Sequence, residues 1–128
     1  MVKLFFRNLK ISVLIISGLL VLHAYSEANA KRVQLNPVEP KLVCMINDEV
    51  MGKDQIPVPF EGKVYYGCCE GCVERLKTDR SARFAKDPHT GKEVDKAKAV
   101  IIEGKDGAAL YFETKDTAKQ YLAPEAKK

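Results

Sequence analysis

The sequence predicts a small α+β fold, a single domain of two ββα-like units in which a β-hairpin is followed by a helix. Two segments have the β-forming runs and glycine-containing turn of a hairpin, residues 56–67 and residues 99–113. Each is followed by a run with the apolar spacing or the N-cap residue of a helix. The chain is long enough for one domain with a small core, so we expect both units to share it.

The first 30 residues have the pattern of a secretory signal peptide. The first ten residues carry three positive charges and no negative one, an uncharged and mostly apolar run follows, and small residues stand at Ala28 and Ala30. An uncleaved membrane anchor would share part of this pattern, but the apolar run is short for a membrane span. We therefore predict cleavage after Ala30 and a periplasmic or secreted protein with no membrane span after cleavage.

Removal of residues 1–30 would leave 98 of the 128 residues and little net charge. It would take away three of the 21 basic residues and one of the 17 acidic residues, so the net charge would fall from +4 to +2. Basic and acidic residues are interleaved, which argues against a nucleic-acid partner. We recognise no Ser/His/Asp set, no pair of catalytic carboxylates and no phosphate loop, so we do not expect an enzyme.

The mature chain opens with an extended arm, residues 31–42, which carries two prolines and has no clean periodicity. The segment 43–51 begins the domain and ends near a polar turn. The run IPVPF suits an edge strand, because proline cannot donate a hydrogen bond to a neighbouring strand. A turn at 61–63 leads into VYYG, so residues 56–67 are the first predicted hairpin.

A helix is expected directly after this hairpin. From Glu70 onward, Val73 and Leu76 recur at helical spacing between charged residues. The run DRSARFAKD, residues 79–87, is predicted as a second short helical stretch. Residues 89–98 are predicted as a polar connector whose lysines face solvent.

A last helix is expected after the second hairpin. Thr114 suits its N-cap, the run KDTAKQYL its body, and Pro124 its end. The predicted organisation is a signal peptide (1–30), an arm (31–42), a first unit that holds the cysteines (43–88) and a second hairpin-helix unit (89–128).

Four cysteines carry the chemistry that the sequence indicates. Cys68, Cys69 and Cys72 lie where the first hairpin should enter its helix, and Cys44 precedes the hairpin. Positions three or four apart share a helix face, so Cys72 can pair with Cys68 or with Cys69, whereas adjacent residues diverge by about 100°. The first turn of a helix favours the thiolate, which is the form that binds metals. Cys44 can supply a further ligand.

Two other uses of these cysteines remain open. Four cysteines in an exported chain allow three disulfide pairings, but each requires a bond within one helical turn or between adjacent residues, which is geometrically demanding. Residues 69–72 also form a C-x-x-C motif at a helix start, as in thiol–disulfide oxidoreductases, although no βα unit precedes it. The alternatives are therefore a periplasmic thiol redox protein that uses Cys69 and Cys72, and a disulfide-stapled interaction module.

The cysteine region resembles the TRASH and YHS-type heavy-metal-binding domains. Those domains have a cysteine, a hairpin with a Tyr-Tyr-Phe-like strand, and Cys-x3-Cys at the start of a helix. Here Cys44, 23 intervening residues, Cys68, three residues and Cys72 match that pattern, and Asp87-Pro88 and the run EGKVYYGCCEGC match its surroundings. The resemblance covers about residues 42–88 and implies that Cys44, Cys68 and Cys72 bind a metal. Cys69, which is additional to the family pattern, is a secondary candidate ligand.

Two departures from the family pattern bear on the choice of metal. The family often carries Cys-x2-Cys-Gly-Met at its first position, whereas this chain has only Cys44-Met45, and Cys69 is additional. Thiolate and thioether ligands select soft ions, and structural zinc sites usually have four ligands. We therefore expect Cu(I) first, bound by three thiolates with Met45, or alternatively Met51, as a further candidate. Zn(II) comes second, with Cys69 or His89 as a fourth ligand. Met45 suits a core position equally well, and His89 suits a solvated loop.

A second resemblance covers residues 87–122, which are similar to the C-terminal half of NosL-type copper-binding accessory proteins. Those proteins pair a short hairpin with a closing helix and take part in the assembly of copper enzymes. They are commonly lipoproteins, and this sequence has no cysteine at a lipid-anchor position. Together the two resemblances imply an exported soft-metal-binding protein that acts in delivery, sensing or resistance. They also imply a copper-receiving or copper-exporting protein as its partner.

Overall fold

The structure, a computed structural model, describes residues 34–123. The predicted signal peptide and its cleavage site, the first three residues of the predicted arm and Pro124 lie outside these residues. Within residues 34–123 the chain forms four two-stranded antiparallel sheets and two α-helices, which confirms the predicted α+β class with hairpin-plus-helix units.

Every sheet pairs two strands that are consecutive along the chain. The strands are β1 (Val43–Cys44), β2 (Glu49–Val50), β3 (Ile56–Phe60), β4 (Lys63–Gly67), β5 (Phe84–Lys86), β6 (Glu93–Asp95), β7 (Val100–Glu103) and β8 (Ala109–Phe112). The helices are α1 (Glu70–Thr78), between β4 and β5, and α2 (Lys115–Leu122), after β8.

The predicted first hairpin is confirmed as β3 and β4. Its two-residue turn consists of Glu61 and Gly62, whose positive φ angles of 48° and 73° match the twist of the flanking strands. Val58 pairs with Tyr65, and both side chains are buried, whereas the two prolines of β3 are exposed. The hairpin therefore presents one face to the core.

Helix α1 begins after Cys69, which is the N-cap residue with an extended backbone. Cys72 and Leu76 are its two buried residues, and a spacing of four places them on one face. This face packs on the β3–β4 hairpin. The start of α1 is therefore held against the end of β4.

The segment after α1 differs from the predictions. Residues 79–87 do not continue as a helical stretch, because they form a single 3-10 turn at Arg80–Arg83 and then enter β5. The predicted polar connector contains β6, which pairs with β5 as a third hairpin. Asp79 caps only that one turn, since its Oδ1 accepts the backbone N–H of Ser81 at 2.9 Å.

The β5–β6 hairpin is joined to the β3–β4 hairpin by the side chain of Asp95 at the end of β6. Its Oδ2 lies 2.6 Å from Lys63 Nζ, and its Oδ1 accepts the hydroxyl hydrogen of Tyr65 at 2.9 Å. The predicted boundary at residue 88 falls in the loop between β5 and β6, so this hairpin contains residues of both predicted units.

The second predicted hairpin is confirmed as β7 and β8, followed by α2. Thr114 is the N-cap of α2 as predicted, and it forms a capping box in which Thr114 and Thr117 bond to each other's backbone N–H groups. The helix ends at Leu122. Among residues 34–123, no helix has the length and apolar character that a membrane span requires.

The arm before β1 packs along β7 where the structure describes it. Pro37 forms an isolated bridge to Ile102, and the N–H of Val38 donates to the carbonyl of Ile101 at 2.8 Å. A single 3-10 turn at Pro40–Leu42 then leads into β1. The described part of the arm thus lies along β7 and turns just before β1.

The core consists of a main cluster and a smaller one. The smaller cluster, Ile102, Phe112 and Ala118, lies between the last hairpin and α2. The main cluster contains Val43, Met45, Val58, Tyr65, Leu76, Ala82, Val94, Ile101, Ala109 and Tyr111. One core is therefore shared by residues of all four hairpins (β1–β2, β3–β4, β5–β6 and β7–β8) and of α1.

Candidate metal centre

Three cysteines from three parts of the chain meet at the start of α1. The Sγ atoms of Cys44, Cys68 and Cys72 all lie within 4.8 Å of one another, and those of Cys68 and Cys72 are 3.5 Å apart. Cys44 ends β1, Cys68 follows β4, and Cys72 is in the first turn of α1. All four cysteines are free thiols.

The close approach of β4 and α1 depends on Gly67. A Cβ atom at this position would lie 2.9 Å from the Cβ of Cys72 and 3.3 Å from its carbonyl carbon. Non-bonded carbon atoms are normally separated by at least 3.5 Å, so a side chain here would push the helix away. Gly71, one residue before Cys72, has open space where its Cβ would be. The absence of a side chain at Gly67 therefore allows Cys72 to lie next to Cys68.

Cys44 is brought to the other two cysteines by a backbone contact between the β1–β2 and β3–β4 hairpins. The N–H of Met45 donates to the carbonyl of Tyr66 at 2.9 Å. This bond attaches the end of β1 to the end of β4, two residues before Cys68. Cys44 itself is completely buried.

The turn after Cys44, residues 45–48, is held by a buried lysine. Lys96 is only 4% exposed, and its Nζ donates to the carbonyl of Met45 at 2.7 Å and to Asp48 Oδ1 at 2.6 Å. Its ammonium group also lies 5.2 Å from the ring centre of Tyr111. The prediction that the lysines of 92–98 all face solvent is wrong at Lys96. A buried ammonium needs such partners, because leaving it unpaired would cost several kcal/mol.

Hydrogen bonds at the cluster shift the pKa values of Cys44 and Cys68 in opposite directions. Burial raises the pKa of Cys44, but the backbone N–H of Asn47 and the thiol of Cys68 donate to its sulfur and together lower that pKa. The bonds of the Cys68 thiol to Cys44 and Cys72 raise the pKa of Cys68 to about 12. Among the three clustered cysteines, Cys44 is therefore the one whose pKa is lowered.

The pKa values of Cys69, the N-cap residue of α1, and Cys72, in its first turn, are shifted in opposite directions. Burial, followed by hydrogen bonding with Cys69, raises the pKa of Cys72. That the start of the helix favours a thiolate here stays a prediction. The hydrogen bond between the Cys69 and Cys72 sulfurs lowers the pKa of Cys69. Cys69 is exposed, and its Sγ lies 3.2 Å from that of Cys72, but it is not a member of the three-sulfur cluster.

Two other predicted ligand candidates are Met45 and His89. Met45 is completely buried and belongs to the main hydrophobic cluster. His89 is exposed in the loop between β5 and β6, where its backbone N–H donates to Asp87 Oδ1 at 2.8 Å, and it is not part of the cysteine cluster. The structure therefore brings together Cys44, Cys68 and Cys72 and leaves His89 out.

Sequence reasoning did not find the residues that support the cluster. Gly67 precedes the cysteine pair, and a glycine between a strand and a helix is a signal for close packing that could have been used. Lys96 has no such signal, because it stands in a lysine-rich run. Its role depends on partners that are 48 and 51 positions away.

The arrangement is compatible with a thiolate metal site. Three sulfur atoms converge, two of them on buried residues, and thiolates bind soft metal ions. Comparison of the chain with family models, with curated proteins and with solved structures finds no match in any of the three. The chemistry of the site must therefore be inferred from its own residues.

Proposed function

We propose that this protein is an exported soft-metal-binding protein in which the thiolates of Cys44, Cys68 and Cys72 hold one ion, with Cu(I) as the preferred metal. The observation that carries the proposal is the cluster of three sulfur atoms within 4.8 Å of one another. The three residues are contributed by different elements, so their proximity is a product of the fold and not of sequence adjacency alone.

The number of available ligands favours Cu(I) over Zn(II). A structural zinc site normally has four ligands. The two proposed fourth ligands are poorly placed for that role, because Cys69 lies outside the three-sulfur cluster and His89 is exposed in a distant loop. Three thiolates without a fourth ligand suit a soft, low-coordinate ion. Zn(II) with Cys69 as a fourth ligand is the second choice.

The exposure of the site suits a protein that exchanges its metal. Cys68 is partly exposed, and Cys69 beside it is exposed. An ion held here is accessible from solvent on one side. We therefore propose a role in metal delivery, sensing or resistance, with a copper-receiving or copper-exporting protein as the partner. The resemblance to heavy-metal and copper accessory domains supports this proposal, and the signal-peptide pattern of residues 1–30 supports its location in the periplasm or outside the cell.

Native mass spectrometry with metal analysis tests the proposal. The protein is purified under reducing, anaerobic conditions, and its intact mass is recorded before and after addition of one equivalent of Cu(I) or Zn(II). We expect one Cu(I) per chain, retained in competition with a Cu(I) chelator, and a polypeptide mass that starts at Lys31. A chain that binds neither ion under these conditions would refute the metal-binding function.

One observation favours a second candidate, a thiol redox protein. The Sγ atoms of Cys69 and Cys72 are 3.2 Å apart, and the pKa of Cys69 is lowered. Such a dithiol can transfer two electrons and two protons to a substrate disulfide and become a disulfide itself. This activity needs only these two cysteines. Reduction of insulin that is undiminished in the Cys44→Ser variant would support the redox function over metal binding.

A further inference from the structure

The four thiols form a series from the interior to the surface. Cys44 is completely buried and Cys72 is 7% exposed, whereas Cys68 is partly exposed and Cys69 is exposed. The Cys72 sulfur is common to the two closest contacts, because it lies 3.5 Å from Cys68 Sγ and 3.2 Å from Cys69 Sγ. The buried sulfur of Cys72 therefore contacts both Cys68, a member of the three-sulfur cluster, and Cys69, the most exposed thiol.

We propose that Cys69 is the transfer ligand of this site, through which the ion passes to or from a partner that binds it with thiolates. The inference rests on the proposed function, since it assumes that Cys44, Cys68 and Cys72 hold a soft ion. During release, the ion keeps its bond to Cys72, gains a bond to Cys69, and loses its bonds to Cys44 and Cys68. Two thiolates of the partner then replace Cys72 and Cys69 one after the other.

The step balances without an oxidant or a reductant. The ion stays monovalent throughout. One metal–sulfur bond forms, to Cys69, and two break, to Cys44 and Cys68, so the ion passes from three sulfur ligands to two and the sulfur of Cys44 is released as a thiolate. The proton that leaves the Cys69 thiol when its sulfur binds the ion is taken up by the sulfur of Cys68 when that residue is released. No disulfide forms at any stage.

The backbone explains why Cys69 is suited to transfer and not to holding the ion. Cys69 is the N-cap residue of α1 and has an extended backbone, with φ of −155° and ψ of 169°. In extended chain, successive side chains point to opposite sides, so Cys68 and Cys69 diverge. Cys68 turns toward Cys44 and joins the cluster, while Cys69 lies outside it with its Sγ 3.2 Å from that of Cys72. A thiol that lies at the edge of the cluster and is open to solvent can contact an incoming partner without disturbing the buried cysteines.

The chemistry of the site identifies the class of partner. Hard oxygen ligands compete poorly with thiolates for a soft ion, so an acceptor that relies on carboxylates would not remove it. The partner must offer sulfur ligands on an accessible surface, as a Cys-x-x-Cys segment does. An intramolecular thiol next to the ion has a high effective concentration, and its loss should slow exchange much more than it weakens binding.

The test compares the affinity and the transfer rate of Cys69→Ser with those of the wild type. Affinity for Cu(I) is measured by equilibrium competition with a chromophoric chelator. The rate is measured by mixing the Cu(I)-loaded protein with a Cys-x-x-Cys peptide and following the metal by rapid native mass spectrometry. We expect Cys69→Ser to keep one Cu(I) per chain with nearly unchanged affinity and to transfer it about tenfold more slowly. Circular dichroism checks that the variant is folded.

The Cys68→Ser variant is the matched control, because it changes the adjacent thiol. It should lose affinity, since Cys68 belongs to the cluster. An equal loss of affinity in Cys69→Ser would make Cys69 a holding ligand and overturn the inference, and an unchanged transfer rate in Cys69→Ser would overturn it as well. In both cases the wild type still binds Cu(I), so the proposed function stands. A wild type that does not bind Cu(I) overturns the proposed function instead, and the inference with it.

Discussion

Lys96 Nζ donates a 2.7 Å hydrogen bond to the backbone carbonyl oxygen of Met45, across 51 positions of sequence. The same ammonium group lies 2.6 Å from Asp48 Oδ1 at the other end of the turn. Both acceptors belong to the turn that follows Cys44. The position of the first proposed ligand therefore depends on a charged residue far outside the cysteine motif.

Replacement of this lysine should loosen the turn. Lys96→Met keeps most of the apolar stem but removes both hydrogen bonds, so we expect the free energy of unfolding of the metal-free protein to fall by about 2 kcal/mol. Affinity for Cu(I) should fall as well, because Cys44 loses its fixed position. Urea unfolding and chelator competition measure the two effects. Lys98→Met, at an exposed position of the same segment, is the control. Equal stability of the two variants would contradict the role of Lys96.

A methyl group at Gly67 should displace the first turn of α1. Because its Cβ would lie 2.9 Å from Cys72 Cβ, Gly67→Ala should move Cys72 away from Cys68 and weaken Cu(I) binding by about tenfold or more. Gly71→Ala adds the same methyl group where there is open space, so it should leave the affinity unchanged. Chelator competition on both variants measures the difference. A Gly71→Ala variant that loses as much affinity as Gly67→Ala would show that close packing at Gly67 is not the cause.

The ligand set itself predicts a pattern of serine variants. Cys44→Ser, Cys68→Ser and Cys72→Ser should each weaken Cu(I) binding by about 100-fold or more, since loss of a ligand should exceed the loss of a supporting residue. The ion should also protect these three thiols from alkylation in the wild type, with Cys69 the least protected. Mass spectrometry after alkylation gives the modified positions directly. Protection of Cys69 together with modification of Cys68 would mean that the true ligand is the adjacent cysteine.

Asp87 should make stability depend on pH in the acid range. Its side chain is buried, and burial raises its pKa, but the backbone N–H groups of Glu113, His89 and Thr90 bond to the carboxylate and give a net lowering below the ordinary value of 3.8. A carboxyl group with a lowered folded-state pKa contributes stability that is present above its unfolded-state pKa. This contribution is lost as the pH falls through the lower folded-state value.

Urea unfolding of the metal-free protein at a series of pH values measures this contribution. At neutral pH, Asp87→Asn should lower the free energy of unfolding by about 1–3 kcal/mol, because the amide replaces a charged acceptor of several N–H groups. Below pH about 3 the difference between variant and wild type should shrink. Asp106→Asn changes an exposed carboxylate and should have little effect at any pH. A deficit in Asp87→Asn that is constant with pH would contradict the ionised state of Asp87.

The parts of the fold that could be predicted are those with a local cause. The β3–β4 hairpin follows from the turn at Glu61 and Gly62, and α2 follows from the cap at Thr114, since in both cases the signal lies within a few residues. The β5–β6 hairpin was missed because its strands have only three residues each, which is too short for an alternation of apolar and polar residues to be read.

In the candidate site, too, only the features with a local cause could be predicted from the sequence. The helix geometry allowed Cys72 to pair with either neighbour, and the choice of Cys68 came from a resemblance and not from periodicity. The structure joins Cys68 to Cys44 and Cys72 because the extended chain at the N-cap turns Cys69 the other way. The role of Lys96 could not be read from the sequence, because the burial of a lysine depends on partners supplied by a distant turn.

The pairing of each strand with its neighbour in sequence has a consequence for how the protein reaches this structure. Hairpins close short loops, and chains dominated by local contacts fold rapidly. Cys68, Cys69 and Cys72 need only the β4–α1 junction to come together, whereas Cys44 must close a loop with 23 intervening residues. That loop contains the β3–β4 hairpin, which shortens it once formed. The four thiols should therefore come together early in folding. Little time is then left in the unfolded chain for incorrect disulfides to form.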